Sequence, residues 1–478
     1  MAKYKSVEEC QELYAQALRA GNWNDVVVWS TELLREDPAQ PGLWGNRGIG
    51  LQRMNHPLDG ILNHQRALDY DESAIHYCNL GACYQDLDKH EEALTYFDKA
   101  LKLDPSFPQI HMNMGHSYKW RKRYDEALAS YRETVRVGPD YVDGHLALGM
   151  MLLKMGQLEE GWKEFEWRWK SEQLVPRGLK FPQWNGEDLT HKSILVYGEQ
   201  GLGDILQFGR YARTLAEKYP TAKVIVEGKH QVKRLMESIP EVYAVINFGE
   251  KVPVVDYCIP MISLGGLLTP TVGDIPARER QFNLNPESIE VWANRFAALP
   301  DEYRNRVKVG ICWAGMARMN QPVALKVDEV RSLQLADFSE LAKIPGITWV
   351  SFQKGPPADQ IRTPPAQMSI VDYTEEMYDF YETCCAMEQC DLIITVDTAV
   401  CHAAASIGKP TWMLSRWDGC WRWFGDREDS PWYPSLRQFV QKKPGQWNET
   451  LEIVTKELTD FVKSKNKPRL YLASSKVT

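Results

Sequence analysis

Across residues 7 to 172, apolar positions recur three and four apart, as in EEALTYFDKALKL and DEALASYRETV, which predicts a succession of amphipathic helices. Beyond residue 190 the pattern changes to short β-branched runs bounded by turn residues and separated by helical stretches. The first set is SILVY at 193 to 197, KVIVE at 223 to 227, YAVINF at 243 to 248 and VVDYCI at 254 to 259. A second set begins afresh with VKVGICW at 307 to 313, ITWVSF at 347 to 352, DLIITV at 391 to 396, PTWML at 410 to 414 and RQFVQ at 437 to 441. Strands alternating with helices read as α/β, and two such sets joined near 285 to 305 predict two Rossmann-like domains facing each other across a cleft. An amphipathic segment near 447 to 464 is expected to pack back across both halves, with 467 to 478 a loose tail.

The helical third repeats itself. Gly81, Gly115 and Gly149 are 34 apart, and in the same register fall Tyr84, Tyr118 and Leu152, Ala93, Ala127 and Gly161, Phe97, Tyr131 and Phe165, then Pro105 and Pro139. This is the tetratricopeptide period: small residues stand where antiparallel helices approach, rings fill the space between hairpins, and proline ends each pair. Weaker copies near Pro38 and Pro41 bring the array to about five repeats, the last diverging into GWKEFEWRWK. Such arrays are binding scaffolds with a concave face, or structural and dimerising elements. Asp69/Asp71 and Asp86/Asp88 form DxD triplets between repeat helices and read as solvated loop acids.

Composition narrows the function classes. The 478 residues carry 56 basic and 64 acidic side chains, a net charge of -8, which gives no global attraction to nucleic acid or an anionic membrane. Ten cysteines without a CxxC pair, mostly in apolar stretches, favour reduced thiols. With neither a signal-like apolar start nor a run near the ~18 apolar residues of a membrane span, a cytoplasmic protein is expected.

Candidate chemistry lies at the strand ends. LVYGEQGLGDILQFGRYA sets Gln200, Gly201, Gly203 and Asp204 between the first strand and a helix, where glycines allow close backbone approach to a ligand. Asp204 is either a helix cap or a cleft carboxylate. Glu227, at the end of the second strand, is the acid a dinucleotide site would use, although the glycine order is GxxGxG rather than GxGxxG. IITVDTAVCHAAASIGKP delivers Asp397, Thr398 and Ala399 to a helix start whose N–H groups suit a diphosphate, with Thr398 and His402 as further donors. His402 is otherwise a satisfied core histidine. Arg318, Lys326 and Arg331 are cations placed to meet a leaving phosphate or to face solvent, and Gln353 and Lys354 end a strand in SFQKG, a loop for nucleotide contacts or a plain turn. The ring-rich stretch from Trp417 to Tyr433 stacks on a base or sugar, or covers the end of its domain. No Walker loop, HExxH or Cys/His zinc spacing is present.

In this order, FPQWNGEDL, GEQGLGDILQFGRYA, GICWAG, RSLQL, SFQKG, VDTAVCHAAASIGKP, WRW and DREDSPWYP resemble the tetratricopeptide-fused glycosyltransferases related to the heptosyltransferases of glycosyltransferase family 9. The resemblance spans residues 160 to 441. It implies a glycosyltransferase B fold after the tetratricopeptide solenoid, with an acceptor domain in 191–300 and a nucleotide-sugar domain in 301–445, while the pattern along the chain puts repeats in 1–172, a linker in 173–190, a helix in 446–466 and a tail in 467–478. It also implies an inverting, metal-independent hexosyl or heptosyl transfer, with no cofactor beyond a nucleotide-diphosphate sugar as substrate. The acceptor is then a glycan or protein, with a protein partner on the repeat groove. Asp204 matches the family's base, Asp397, Thr398 and His402 its donor-binding residues, and Arg331 lies near its phosphate cation. The segment from Gly315 to Arg331 departs from the family's arginine- and asparagine-rich form. Alternatives are a protein O-glycosyltransferase of the O-GlcNAc transferase type, a nucleotide-sugar epimerase and a non-catalytic scaffold.

Overall fold

A computed structural model describes residues 6–171, 174–316 and 322–464, and the expected tail at 467–478 lies outside them. The chain divides into two compact units, one comprising the residues up to Leu152 with Lys163–Val175, the other Leu153–Trp162 with everything from Pro176.

The helical part consists of α1 (Val7–Ala20), α2 (Trp23–Glu36), α3 (Pro41–Arg53), α4 (Pro57–Tyr70), α5 (Ala74–Asp86), α6 (His90–Leu103), α7 (Pro108–Trp120), α8 (Tyr124–Val137), α9 (Val142–Lys154) and α10 (Leu158–Phe165). In sequence, α1 pairs with α2, α3 with α4, α5 with α6 and α7 with α8 as hairpins. A capping box on Ser6 starts α1, and prolines 41, 57 and 108 open α3, α4 and α7, where a missing N–H costs no helical bond. The 34-residue period has a direct steric cause. A Cβ on Gly81 would lie 2.5 Å from the Phe97 ring, and one on Gly115 would lie 2.6 Å from the Tyr131 ring. Each glycine thus admits the ring of its own hairpin partner, and both rings are fully buried.

The second unit carries two all-parallel sheets. The first orders as β3-β2-β1-β4, from β1 (Ser193–Tyr197), β2 (Lys223–Gly228), β3 (Ala244–Asn247) and β4 (Tyr257–Pro260). Its helices are α11 (Leu202–Phe208), α12 (Arg210–Lys218), α13 (His230–Glu237) and α14 (Leu264–Leu268). Helices α15 (Pro286–Ala297) and α16 (Asp301–Arg304) lead to the second sheet. That sheet orders as β10-β9-β8-β5-β6-β7, from β5 (Val307–Cys312), β6 (Ile347–Ser351), β7 (Ile370–Asp372), β8 (Leu392–Val396), β9 (Thr411–Ser415) and β10 (Leu436–Val440). Between and after its strands lie α17 (Pro322–Arg331), α18 (Ser339–Ala342), α19 (Phe380–Met387), α20 (Ala399–Ser406) and α21 (Asn448–Ser464). The central strands are buried on both faces, as parallel sheets covered by helices require.

Three features differ from the sequence reading. The edge strand β7 has no counterpart in it, because three residues in SIVDY carry too little periodicity. The linker includes a strand-like piece: Gln183 bridges to Cys258 in β4, Trp184 N–H donates to the Cys258 carbonyl at 2.9 Å, and Cys258 N–H donates to the Pro182 carbonyl at 2.9 Å, so FPQW extends the first sheet. Helix α21, expected across both halves, lays Leu451, Val454 and Leu458 into the core of the second sheet beside Phe338, Leu341, Trp412 and Phe439. Those three residues form the apolar stripe of the helix.

Residues Leu153–Trp162 read as part of the last repeat but are packed within the second unit. Buried Lys154 donates to Asp418 Oδ1 at 3.0 Å and to the Gly419 carbonyl at 2.9 Å. Buried Trp162 donates from Nε1 to the Thr269 carbonyl at 3.1 Å and meets Trp421 edge to face, with ring centroids 5.6 Å apart.

Candidate active site

In each sheet the strand order reverses once. The chain runs outward from β1 to β3 and returns to place β4 on the other side of β1; it runs from β5 to β7 and returns with β8 on the other side of β5. A crevice opens at the carboxyl ends of the strands at each reversal. The loop after β1 carries Gln200, Gly201, Gly203 and Asp204, and the loop after β8 carries Asp397 and Thr398.

These two loops meet. Helix α11 packs against α20, and a Cβ on Gly203 would stand 3.0 Å from Cδ2 of His402, so glycine permits the approach. Asp204 Oδ2 accepts the Gly201 N–H at 2.8 Å and so caps its own helix. Its other oxygen, Oδ1, accepts from Nη2 of Arg422, which arrives on the loop after β9. The side chains of this ion pair are only 18% and 14% exposed, so water screens them weakly. Asp204 is therefore both a cap and a paired carboxylate. Burial works against the Arg422 charge, but Asp204, Cys420 and Asp397 outweigh it and raise the guanidinium above the ordinary arginine value. The Trp421 ring lies 4.4 Å from the guanidinium.

His402 sits buried on the first turns of α20. Burial pushes its imidazole down to about 4 from the usual 6.5, so the ring is neutral near neutrality. Nδ1 lies 2.9 Å from the Tyr433 hydroxyl, and the ring stacks on Trp423 with centroids 5.2 Å apart. Tyr433 is steadied in turn by the buried Arg210 guanidinium, 4.5 Å from its ring centre. Thr398 is the N-cap of α20, yet its side chain does not cap; Oγ1 lies 3.4 Å from Thr395 Oγ1 and 3.9 Å from Cys312 Sγ. Ala399 is the first residue of the helix.

The remaining candidates take other positions. Arg331 donates from Nη1 to the Asp397 carbonyl at 2.9 Å and from Nη2 to buried Asp328 at 2.7 Å, which fixes the turn after β8. Gln353 is buried, accepts from the N–H groups of Trp313 and Ala314 at 3.1 and 2.8 Å, and donates to the Ala314 and Lys354 carbonyls, tying the end of β5 to that of β6. Lys354 donates to the Met377 carbonyl at 2.5 Å, with burial lowering its pKa against Asp372 and Asp379. Arg318 and the Lys326 side chain lie outside the described residues. Glu227, the acid of the dinucleotide alternative, is buried and ion-paired with Arg177, whose guanidinium lies 4.7 Å from the Phe248 ring centre. Trp421, Trp423 and Trp432 are buried, so much of the ring-rich loop is core. Sequence reasoning singled out neither Arg422 nor Arg210; the only trace of the first is an arginine between two tryptophans in WRW.

The fold is a series of tetratricopeptide-like helical hairpins followed by two parallel α/β sheets of Rossmann-like connectivity. Residues 74–107 match the tetratricopeptide repeat family model. A curated relative, Protein FlbA of Caulobacter vibrioides (strain ATCC 19089 / CIP 103742 / CB 15), is 24% identical over 451 residues, covering 88% of this chain and 73% of its own. Among solved structures, the E. coli ADP-heptose lps heptosyltransferase II aligns over 57% of this chain and 99% of its own, with 17% identity and a TM-score of 0.43. TTC0263, a thermophilic tetratricopeptide protein of Thermus thermophilus, aligns over 35% of this chain and 92% of its own, with 18% identity and a TM-score of 0.32. Among the described residues, no helix is long and apolar enough to cross a membrane.

Proposed function

We propose that this protein is an inverting, metal-independent glycosyltransferase that moves a hexosyl or heptosyl unit from a nucleotide-diphosphate sugar to a hydroxyl of a glycan or protein acceptor. The observation that carries the reading is the junction of Asp204 with the start of α20: a carboxylate from one Rossmann-like half and a neutral, buried histidine beside a helix N-terminus from the other.

In this reading Asp204 takes the proton from the acceptor hydroxyl as that oxygen attacks the anomeric carbon from the face opposite the leaving group. The bond from that carbon to the phosphate oxygen breaks, and the nucleoside diphosphate departs with one more negative charge. N–H groups at the start of α20, with Thr398 and His402, hold the diphosphate, an electrostatic contribution set in place before reaction. Gln353 and Arg331 shape the donor side by fixing the ends of β5 and β8. Gln200, Gly201 and Gly203 form the acceptor loop.

The repeats recruit the acceptor. A groove of about 960 Å3 in the second and third repeats is lined by Trp44, Arg47, Leu62, Arg66 and Tyr96 among others, a mixture of rings, apolar surface and cations suited to a protein segment. The direct test is a thermal-shift screen of the full chain against nucleotides and nucleotide sugars, followed by assay of the donor for transfer and hydrolysis. A stabilising nucleotide sugar is the expected result. If none raises the melting temperature and none is consumed, the reading fails.

A further inference from the structure

We propose that Arg422 is a catalytic residue that passes from Asp204 to the departing diphosphate during transfer, an inference that rests on the glycosyltransferase reading above. The loop after β9 brings Arg422 to Asp204 on α11, the helix that packs against α20. Its guanidinium donates from Nη2 to Asp204 and from Nη1 only to the weak acceptor Cys420 Sγ at 3.2 Å, and Asp397 also acts on its charge. Its charge in turn acts on buried His402. Arg331, the cation the sequence favoured, has one arm on the Asp397 carbonyl and the other on the buried Asp328 carboxylate. Lys354 reaches the Met377 carbonyl.

The handover follows from charge balance. Before reaction the Arg422 cation is matched by the Asp204 anion. When the acceptor proton reaches Asp204, that carboxyl becomes neutral and ceases to hold the guanidinium strongly. In the same step, cleavage of the anomeric carbon–oxygen bond puts one more negative charge on the leaving diphosphate. A guanidinium offers five N–H donors in a planar fork, so it can keep a bond to the carboxyl while others turn to phosphate. Proton arrival on the base and stabilisation of the leaving group become one coupled event, worked through one side chain.

The test is a binding cycle on the full chain, using ADP, GDP, UDP and CDP as probes and calorimetry as readout. Asp204→Asn imitates the neutral carboxyl. For the diphosphate that binds, Asp204→Asn is expected to tighten binding on the order of tenfold, the size of one added charge-assisted hydrogen bond. Arg422→Gln should weaken binding by a similar factor, and in the double variant the gain from Asp204→Asn should vanish. An unchanged affinity in Asp204→Asn overturns the handover. So does an equal gain with and without Arg422, which would reflect only the loss of repulsion. If Arg422→Gln loses its fold by circular dichroism, Arg422→Lys carries the same cycle, with the Asp204→Asn gain expected to fall at least about threefold because an ammonium lacks the fork; an undiminished gain overturns the handover there too. If no diphosphate binds the unaltered protein, the glycosyltransferase reading itself fails and this inference with it. Binding that is indifferent to Arg422 removes the handover alone.

Discussion

His402 makes an acid-sensitive element of the site's centre, and its size can be worked out. The imidazole falls from 6.5 to about 4 because it is buried. A group whose folded pKa is depressed lends stability above its unfolded value and loses it as pH falls toward the folded one, because the unfolded chain takes up the proton first. The window here therefore runs from about pH 6.5 down to about 4. A tenfold change in proton affinity is worth about 1.4 kcal/mol, so the whole window is worth ~3 kcal/mol, of which ~2 kcal/mol has gone by pH 5. Replacing His402 with Gln keeps a polar group beside the Tyr433 hydroxyl and removes the titration. Buried His64 in the repeats is held down to about 4 in the same way, so comparison of wild type with variant is needed to isolate His402. Urea unfolding of the second unit, followed through tryptophan fluorescence, should show the stability difference between wild type and His402→Gln moving in favour of the variant by ~2 kcal/mol from pH 7.5 to pH 5. Parallel pH dependences for the two proteins would refute the reasoning, as would a His402 ring resonance that titrates near pH 6.5.

Three further outcomes are expected. Asp204→Asn should lower transfer ~100-fold or more while nucleotide-sugar affinity does not fall, and wild-type turnover would return Asp204 to capping alone. A chelator should leave transfer unaffected; loss that Mn²⁺ or Mg²⁺ restores would show that a metal, not side chains and backbone, holds the diphosphate. Leu62→Glu, at a position 60% exposed beside the repeat groove, should slow transfer to the natural acceptor and spare donor binding, and an unchanged rate on that acceptor would count against recruitment by this groove.

The repeats and the long central strands were legible because their patterns are local. Gly81 and Phe97 are sixteen residues apart and meet within one hairpin, so the 34-residue period declares the contact. The loop after β1 and the start of α20 were legible for a related reason, since a strand, glycines or small residues, and a helix in succession place a loop at a strand's carboxyl end. Arg422 was not, because its meaning lies in a partner 218 residues away. The inward turn of Gln353 was hidden likewise: only the meeting of β5 and β6 shows that its amide joins two strand ends. The docking of Trp162 was obscured by the repeat itself, whose register continues through Gly161 although the side chains answer to Thr269 and Trp421.

That docking bears on how such a protein can be lengthened, trimmed or recombined. Hairpins ahead of Leu153 touch their neighbours in series, so the array can gain or lose copies there as solenoids do. From Leu153 onward the same helical register also serves as scaffolding for the loop after β9: Lys154 holds Asp418 and Gly419, and Trp162 abuts Trp421, the residue next to Arg422. The boundary between the two units along the chain therefore falls within α9 and α10 as well as in the linker that follows them. A hybrid bearing a foreign array would need to be spliced upstream of Leu153, and one spliced at the linker would lack the prop beneath the loop after β9.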